Sequence, residues 1–261
     1  MTKIGIIGGS GIGNNLGVTN PQRQKVHTPY GAPSDLMTTG KIADKDVVVI
    51  ARHGADHRLM PSDVNYRANI WAMKTLGVTH IIAATACGSL REEIEPGHMV
   101  FIDQFIDRTT KRAQTFYVGH AILHLPMSEP FCPNMRKVFI EQAKSLDLSF
   151  HEKGTTITIE GPRFSTKAES LLFKSWGADV INMTTVPEAV LAREAGICYA
   201  AIGLCSDYDC WHETKEPVSM QMILATMRKN AANLNKLIQQ TVVQIYDQDC
   251  ICKIEVDNLL S

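Results

Sequence analysis

The chain has 261 residues, of which 44% are apolar, and its formal net charge at neutral pH is −1. This length is sufficient for one α/β domain or two small ones with a full hydrophobic core, and the near-zero charge predicts no surface for nucleic acid. No apolar run approaches the roughly 20 residues that a membrane-spanning helix needs, and the N-terminus lacks a secretion-signal pattern, so no membrane partner is predicted.

The first predicted element is an apolar strand, KIGII, that breaks into the glycine-rich run GGSGIGNN. A dinucleotide site would need G-x-G-x-x-G, a helix directly after it and an acidic residue about 20 positions on. The third glycine of that motif would fall on Asn14 or Leu16, and no helical period follows as far as Pro33. The turn is therefore either an ordinary loop or a cradle for an isolated anion, to which the Ser10 hydroxyl would add a donor.

Strand-like and helical segments then alternate along the chain without a linker. The seven predicted strands are residues 3–7, 46–51, 79–84, 99–103, 156–159, 179–182 and 198–204. The predicted helices are residues 66–76, 166–177, 187–196 and 219–246, of which the second opens with a Thr166-x-x-Glu169 capping box. Buried strands rich in Val and Ile with helices between them predict one α/β domain on a largely parallel sheet, and the sequence does not give the strand order.

Polar side chains follow six of these predicted strands, and ligands of open α/β sheets bind just beyond the carboxyl ends of strands. The cationic and hydroxyl donors among them suit an inorganic oxyanion. They are Ser10, Arg52, His53, Thr85 and Thr184. Taken singly, each has an ordinary structural explanation, such as a surface pair for Arg52 and His53. Their joint placement at strand ends favours a binding crevice.

The remaining strand-end residues suit a planar base. Phe164 and Met183 offer flat or soft apolar surface for an aromatic ring, although Met183 alone is more typical of a core. Asp207 and Asp209 are two carboxylates at positions i and i+2. They can hydrogen-bond adjacent atoms along one edge of a base, and a loop cap is the ordinary alternative for Asp207.

The seven cysteines are odd in number and scattered. This pattern predicts reduced thiols in the cytoplasm, with the nucleus left open as a second compartment. Cys250 and Cys252 form a C-x-C pair near the C-terminus. A lone pair at this spacing is a weak metal signal, so no bound metal is predicted.

Longer motifs surround these candidate residues. They are KIGIIGGSG, ARHG with MPSDVNYRANIWA, TACGSLREE, IDQFIDRTT, MSEPFCP, TIEGPRFST, GADVINMTTVPEAVLAREAGICYA and SDYDCW. Through them, from about Ile4 to Ile245, the sequence resembles the trimeric nucleoside phosphorylases, and among them the branch that cleaves methylthioadenosine. The resemblance implies one α/β domain over residues 1–246, with a central mixed β-sheet partly closed into a barrel and flanked by helices. Residues 247–261 depart from the family as a tail of unknown role.

The resemblance also implies the site residues. The phosphate-binding positions are Ser10, Arg52, His53, Thr85, Ala86 and Thr184. The family usually has threonine at the position of Ser10, so the hydroxyl is kept. The nucleoside-binding positions are Phe164, Ser165, Met183, Ser206, Asp207, Asp209, Met220, Ile223, Leu224 and His124. In the family a histidine of the neighbouring subunit closes the thioether pocket formed at the start of the last helix. His124 is the matching position, and the loop before it is shorter than usual.

The implied reaction is phosphorolysis of methylthioadenosine by inorganic phosphate, a co-substrate, in a homotrimer without a metal or organic cofactor. Asp207 and Asp209 would be the catalytic residues. Asp207 would be the general acid at N7 of the departing purine, and Asp209 would accept from the 6-amino group, an assignment that rests on the family alone. The alternatives are a purine nucleoside phosphorylase for 6-oxopurine nucleosides and a non-catalytic nucleoside-binding protein. An NAD-dependent oxidoreductase is disfavoured by the failed glycine motif.

Overall fold

Eleven strands and five α-helices alternate in the computed structural model, which describes residues 2–9, 16–117, 122–213, 220–246 and 250–253, apart from the side chains of residues 220–224. The strands are β1 Ile4–Gly8, β2 Thr19–Gln24, β3 Met37–Ile42, β4 Lys45–Ala51, β5 His80–Ser89, β6 Met99–Ile102, β7 Gln104–Arg108, β8 Phe150–His151, β9 Thr155–Ile159, β10 Val180–Asn182 and β11 Cys198–Tyr208. The helices are α1 Tyr66–Thr75, α2 Pro133–Ser145, α3 Lys167–Ser175, α4 Thr185–Glu194 and α5 Met220–Gln244.

All eleven strands belong to one mixed sheet that branches at β5. One path runs in the order β2-β3-β4-β1-β5-β10-β9-β7, and the other leaves β5 through β11 to β6 and β8. Strands β1 and β11 both run parallel to β5, whereas β10 pairs antiparallel with its end. The prediction of one α/β domain with a mixed sheet and flanking helices is confirmed.

The two paths that leave β5 form two arms of the sheet, and the chain joins these arms a second time. Among the described strands, no continuous hydrogen-bonded ladder makes this second connection. Strand β6 belongs to one arm and β7 to the other, and only Asp103 separates them. Asp103 is fixed at this crossing because its backbone N–H donates to the Gly154 carbonyl over 3.2 Å, while its carboxylate accepts from the Gly154 N–H over 3.0 Å. The connection at Asp103 thus links the two arms, and the described strands do not form a ladder that closes on itself.

The alternation of apolar residues on the central strands places a hydrophobic core on each face of the sheet. On β4, Val47 and Val49 belong to one core cluster with residues of α2 and α5. Val48 and Ile50 point the other way, into a second cluster with residues of α1 and α4. The sheet is thus covered on both faces, as the buried Val- and Ile-rich strands predict. No helix within the described ranges combines the length and the apolar character required to cross a bilayer.

The four predicted helices are present, each within two residues of its expected ends. Helix α3 carries the predicted capping box, in which the Thr166 hydroxyl accepts from the Glu169 N–H and the Glu169 carboxylate accepts from the Thr166 N–H. Helix α4 starts at Thr185, but Val186 has extended backbone angles, so the regular helix begins at Pro187 as predicted.

Five elements have no counterpart among the sequence predictions, namely β2, β3, β7, β8 and α2. Strand β2, TNPQRQ, is exposed along its whole length and contains a proline, so it carries neither an apolar alternation nor a strand composition. Helix α2 buries only Met135, Phe139 and Ala143, one residue per turn, which is too narrow a stripe to stand out in the sequence.

Two central strands continue beyond their predicted ends. Strand β5 reaches Ser89 and strand β11 reaches Tyr208, so Thr85 and Asp207 lie inside strands instead of following them. The parallel pairing of β5 and β11 persists along this extension, with a register shift between Cys205 and Asp207. The strand-end interpretation of these residues is therefore wrong in detail, because the polar residues are paired in the sheet.

Candidate active site

The two predicted threonines meet although they are 99 positions apart in the sequence, since their hydroxyl oxygens lie 3.2 Å from each other. Thr85 lies on β5 and Thr184 immediately precedes α4, and both side chains are buried. Asn182 fixes the chain around Thr184. Its amide group donates to the Thr185 hydroxyl over 2.8 Å, and its side-chain carbonyl oxygen accepts from Thr158 over 3.1 Å. Asn182 and Thr158 are positioning residues that the sequence analysis missed.

Arg52 lies beside this hydroxyl pair and is only 2% exposed. Its guanidinium donates two hydrogen bonds to the Glu188 carboxylate, at 2.7 and 2.8 Å, and one to the Ala84 carbonyl at 2.8 Å. The Tyr199 hydroxyl donates to the same carboxylate over 2.9 Å. Burial alone would lower the pKa of Arg52, but the Glu188 carboxylate raises it above its ordinary value, so the guanidinium is charged.

The guanidinium keeps donors for an anion despite this ion pair. The three bonds to Glu188 and Ala84 use three of its five N–H groups. No acceptor among the described residues bonds to the other two, which are therefore available to an anion. The Arg52 backbone N–H also donates to the Gly8 carbonyl over 2.8 Å, which brings the start of the glycine turn next to it. Ser10 itself lies outside the described residues, and its role stays a prediction.

His53 follows Arg52 and is neutral at neutral pH. Its Nδ1 lies 2.8 Å from the Leu59 carbonyl, which can only accept, so Nδ1 carries the proton and Nε2 is the acceptor. Burial lowers the pKa of His53 to about 4, and the nearby charges of Arg52 and His57 act in the same direction. Without a bound ligand, the ring is therefore an acceptor at Nε2 rather than a cationic donor, and a phosphate that binds it in this state would present a hydroxyl group.

The two aspartates of the SDYD motif have different surroundings. Asp207 accepts from the Ser206 hydroxyl over 2.6 Å. Burial raises the pKa of Asp207, the hydrogen bond from Ser206 opposes that shift, and the charge of Asp209 adds to it. Asp209 is 8% exposed, and one of its carboxylate oxygens is buried without a hydrogen-bond partner among the described residues. Asp207 thus suits a proton donor, and Asp209 lacks a donor that a ligand would provide.

The GPRFS loop after β9 lies against the residue that follows these aspartates. The Cys210 thiol is 3.4 Å from the Ser165 carbonyl, and the Ser165 hydroxyl oxygen is buried without a partner among the described residues. Gly161 has φ +67°, and a Cβ there would lie 2.5 Å from the Met183 sulfur, so only glycine permits this approach. Met183, Ser165 and Asp209 are therefore brought into neighbouring positions.

One buried arginine, Arg112, ties three of the loops together. Its guanidinium donates to the carbonyls of Met183, Val186 and Glu160 at 2.6, 2.7 and 2.7 Å. The Glu160 carboxylate also accepts from Ser62 and from the Thr110 N–H, and these bonds together with Arg112 lower the pKa of Glu160 to about 2 against the opposing effect of burial. Arg112 and Glu160 were missed, although both stand inside or beside motifs of the resemblance.

The contacts described above do not include several of the predicted residues. Phe164 is 81% exposed, so its ring would be covered only once a base is bound against it. Ala86 is exposed on β5. The side chains of Met220, Ile223 and Leu224 lie outside the described residues. His124 is exposed on the wall of a separate cavity of about 450 Å³, together with Val190 and Glu194 of α4.

The described contacts nevertheless connect the candidate residues in one closed circuit. Thr85 contacts Thr184, Met183 packs on the glycine of the GPRFS loop, that loop contacts Cys210, and Asp209 returns to β5 through a 3.0 Å bond from its N–H to the Ser89 carbonyl. Charged and hydroxyl donors are at one end of the circuit and the two aspartates are at the other. This arrangement can bind an oxyanion and a hydrogen-bonding base side by side.

Comparison with known proteins agrees with this geometry. A sequence model of the Phosphorylase superfamily matches residues 3–243. The chain belongs to that superfamily. It is 56% identical over 247 residues to the S-methyl-5'-thioadenosine phosphorylase of Anopheles gambiae, covering 93% of this chain and 89% of that one. It is 51% identical over 254 residues to the S-methyl-5'-thioadenosine phosphorylase of Pyrococcus furiosus, covering 97% and 96%.

Solved structures give the same result for this phosphorylase. The methylthioadenosine phosphorylase from Schistosoma mansoni in complex with adenine superposes with a TM-score of 0.92 at 40% identity, covering 100% of this chain and 96% of that one. A mutant of the Schistosoma mansoni adenosine/methylthioadenosine phosphorylase in complex with methylthioadenosine superposes with a TM-score of 0.91 at 39% identity, with the same coverage. The resemblance stated from the sequence motifs is confirmed.

Proposed function

We propose that the protein cleaves the N-glycosidic bond of S-methyl-5'-thioadenosine with inorganic phosphate, giving adenine and 5-methylthioribose 1-phosphate for methionine and purine salvage. The observation that carries this assignment is the pair of aspartates at one end of the crevice. Asp207 has a raised pKa, and Asp209 has a buried oxygen without a partner among the described residues. Relatives at 49–56% identity are S-methyl-5'-thioadenosine phosphorylases, which supports the same substrate here.

Phosphate is the nucleophile, and its binding falls to Arg52, the hydroxyls of Thr85 and Thr184, and the predicted Ser10. The buried ion pair with Glu188 holds the guanidinium in place, so little reorganisation is needed when the anion arrives. Neutral His53 accepts a hydrogen bond from a protonated phosphate oxygen through Nε2. The anion then stabilises the positive charge that develops on the ribose as the bond to the base breaks.

As the glycosidic bond breaks, negative charge develops on the departing adenine and must be neutralised. Asp207 donates a proton to N7, a role that its raised pKa favours. Asp209 accepts from the 6-amino group with its unpartnered oxygen. Phe164 and Met183 would flank the ring. The chain's own residues supply each of these roles, and inorganic phosphate enters as a co-substrate.

The same carboxylate disfavours a 6-oxopurine nucleoside as substrate. An ionised Asp209 can only accept, so an oxo group would face it as a second acceptor in a buried position. Leaving such groups unpaired costs on the order of 1–3 kcal/mol, and sites that depend on one hydrogen bond can discriminate by about 10⁴. The purine nucleoside phosphorylase alternative is therefore the weaker one.

We propose a homotrimer as the active assembly and the cytoplasm as its compartment, with the nucleus as a second one. The exposed His124 and the 77% exposed Ile122 lie on one stretch of surface, which suits an interface that a neighbouring subunit covers. Light scattering should give about three times the 28.9 kDa protomer mass.

The proposed compartment rests on the cysteines. All seven are free, in keeping with a reducing compartment.

One steady-state experiment tests the proposed function. Base release from methylthioadenosine, adenosine and inosine is followed with and without phosphate. We expect release to require phosphate and kcat/KM to favour the 6-amino nucleosides over inosine by at least roughly a hundredfold. Equal cleavage of inosine would favour the purine nucleoside phosphorylase alternative. Binding of methylthioadenosine without base release would favour the non-catalytic alternative.

A further inference from the structure

Four cysteines that are far apart in the sequence converge in the fold. The Sγ atoms of Cys132, Cys198, Cys250 and Cys252 all lie within 4.8 Å of one another, and all four residues are buried. Among the described residues, no other group of three or more His, Cys, Asp or Glu side chains meets in this way. None of the four takes part in the crevice described above, so the cluster needs an explanation of its own.

Three separate elements bring these thiols together. Cys132 caps the N-terminus of α2, and Cys198 is the first residue of β11. Their backbones are already linked nearby, because the Cys132 N–H donates to the Tyr199 carbonyl over 2.8 Å. Cys250 and Cys252 come from the C-terminal segment, where the Lys253 N–H donates to the Cys250 carbonyl over 2.9 Å and forms a tight turn. The domain provides two ligands and the tail provides two.

We propose that Cys132, Cys198, Cys250 and Cys252 form a tetrahedral zinc site that fastens the C-terminal segment to the domain. A structural Zn²⁺ ion prefers four thiolates at about 2.3 Å, which places the sulfurs about 3.8 Å apart along each edge of the tetrahedron. The Cys132 and Cys250 sulfurs are 3.5 Å apart, and none of the six pairs exceeds 4.8 Å. Small side-chain adjustments therefore suffice for coordination.

The surroundings suit a structural ion rather than a catalytic one. Cys250 and Cys252 are 4% and 2% exposed and belong to the core cluster on the α2 and α5 face of the sheet. A cavity of about 270 Å³ reaches the cluster and is lined by Cys132, Cys250 and Lys137, among others. It offers a route for the ion to the buried thiols.

A second thiol pair shows why the four-fold cluster is different. The sulfurs of Cys87 and Cys205 are also 3.5 Å apart and buried, but no third or fourth ligand joins them among the described residues. Two thiols cannot saturate a structural zinc ion, which takes four ligands. Four mutually adjacent thiols, in contrast, match its coordination number. In the sequence, the C-x-C pair is only a weak metal signal, because the other two ligands come from the domain.

The test is metal analysis of the full chain, purified under reducing conditions, incubated with Zn²⁺ and freed of excess metal. We expect one zinc ion per chain in the wild type and in the control Cys210→Ser, which removes an exposed thiol. The double variant Cys250→Ser/Cys252→Ser should retain less than about a tenth of that zinc. Its phosphorolysis should persist, which shows that the variant folds. Strong chelation of the wild type should lower its melting temperature by about 5 °C or more.

A measurement on the wild type alone covers the case in which the double variant does not fold. Loading the chain with Co²⁺ should give the intense visible bands of a tetrahedral cobalt thiolate, and added Zn²⁺ should abolish them. Wild-type protein that takes up neither metal overturns the proposal. So does zinc that the double variant retains in full. So does protein purified without reductant whose intact mass increases on reduction in the way that pairing of the four cysteines as disulfides requires. None of these outcomes bears on the phosphorolysis assay.

Discussion

The two ends of the candidate site are built on different principles. At the phosphate end, Arg52 is locked by a buried pair with Glu188, and the Thr85 and Thr184 hydroxyls already touch. At the base end, an Asp209 oxygen has no partner among the described residues and Phe164 projects into solvent. In the proposed reaction, the small anion would therefore meet donors that are already held in place, whereas the base would complete its own site on binding. Preorganisation at the first end would accelerate the reaction, and the second end would select the substrate.

The largest expected effect concerns proton donation at the base end. Asp207→Asn keeps the shape and the hydrogen bond to Ser206 but cannot donate an acidic proton. We expect kcat/KM for methylthioadenosine to fall by about 10²–10⁴ with little change in stability. The matched control is Asp44→Asn, an exposed aspartate in a turn. Wild-type activity should decline as pH rises through the raised pKa of Asp207, and the variant should lack that decline. A variant of normal activity would transfer the role to another group.

The phosphate end should respond through stability as well as binding. Glu188→Gln leaves the Arg52 charge buried and uncompensated, so the free energy of unfolding should fall by about 3–5 kcal/mol, measured by urea denaturation. The phosphate KM of the folded fraction should rise about tenfold. The control is Arg163→Gln, which breaks a pair of similar geometry with Glu169 on the surface and should change stability little. Equal effects of the two variants would contradict the preformed description of this end.

Arg52→Ala would be a poorer test of the same end. It removes a phosphate donor, but it also leaves the Glu188 carboxylate buried without its guanidinium partner, so loss of folding would hide loss of phosphate binding. A rise in phosphate KM is therefore better interpreted from Glu188→Gln, in which the cation remains. Glu188 is a positioning residue, and its effect on phosphate must pass through Arg52.

The candidate substrate-binding residues could be proposed from the sequence, but the residues that position them could not. Thr85, Thr184 and the two aspartates stand in conspicuous polar motifs after apolar runs. Glu188 and Arg112, in contrast, look like ordinary charged residues of a helix and a loop, which are usually exposed. Only the fold shows that both are buried and multiply bonded. Burial of a charge depends on long-range packing, which a local pattern does not encode.

The fold shows the same limit. Strands β1 and β4 were predicted because each contains a continuous, buried apolar run. The exposed β2 was not predicted, because its order comes from pairing with β3 and not from its composition. The branch of the sheet at β5 could not be inferred either, since it depends on which strands pair along that strand's two edges.

A smaller effect is expected from the exposed aromatic ring of the base end. Phe164→Ala should raise the KM for methylthioadenosine about tenfold, because stacking of an aromatic side chain on a base contributes about 1–3 kcal/mol. Stability should not change, since the ring is 81% exposed before a ligand binds. Leu172→Ala, an exposed apolar residue of α3, is the control and should leave KM unchanged. A loss of stability without a change in KM would show that Phe164 belongs to the fold and not to the base site.

The smallest effect is the pH dependence of the phosphate end, which rests on neutral His53. Its pKa falls from 6.5 in the unfolded chain to about 4 in the fold, so between these values the unfolded chain binds a proton that the folded chain does not. Stability contributed by the neutral ring is therefore present above about pH 6.5 and is lost as the pH falls toward 4. The charges of Arg52 and His57 oppose protonation, and that of Glu188 favours it.

The variant His53→Asn tests this pH dependence. It keeps a donor for the Leu59 carbonyl and cannot be protonated in this range. Denaturation of both proteins at several pH values should show the wild type losing stability relative to the variant on acidification. Glu160, with its pKa of about 2, loses its contribution only at lower pH. A constant difference between the two proteins would mean that His53 keeps its ordinary pKa, and the acceptor role of Nε2 toward phosphate would then be wrong.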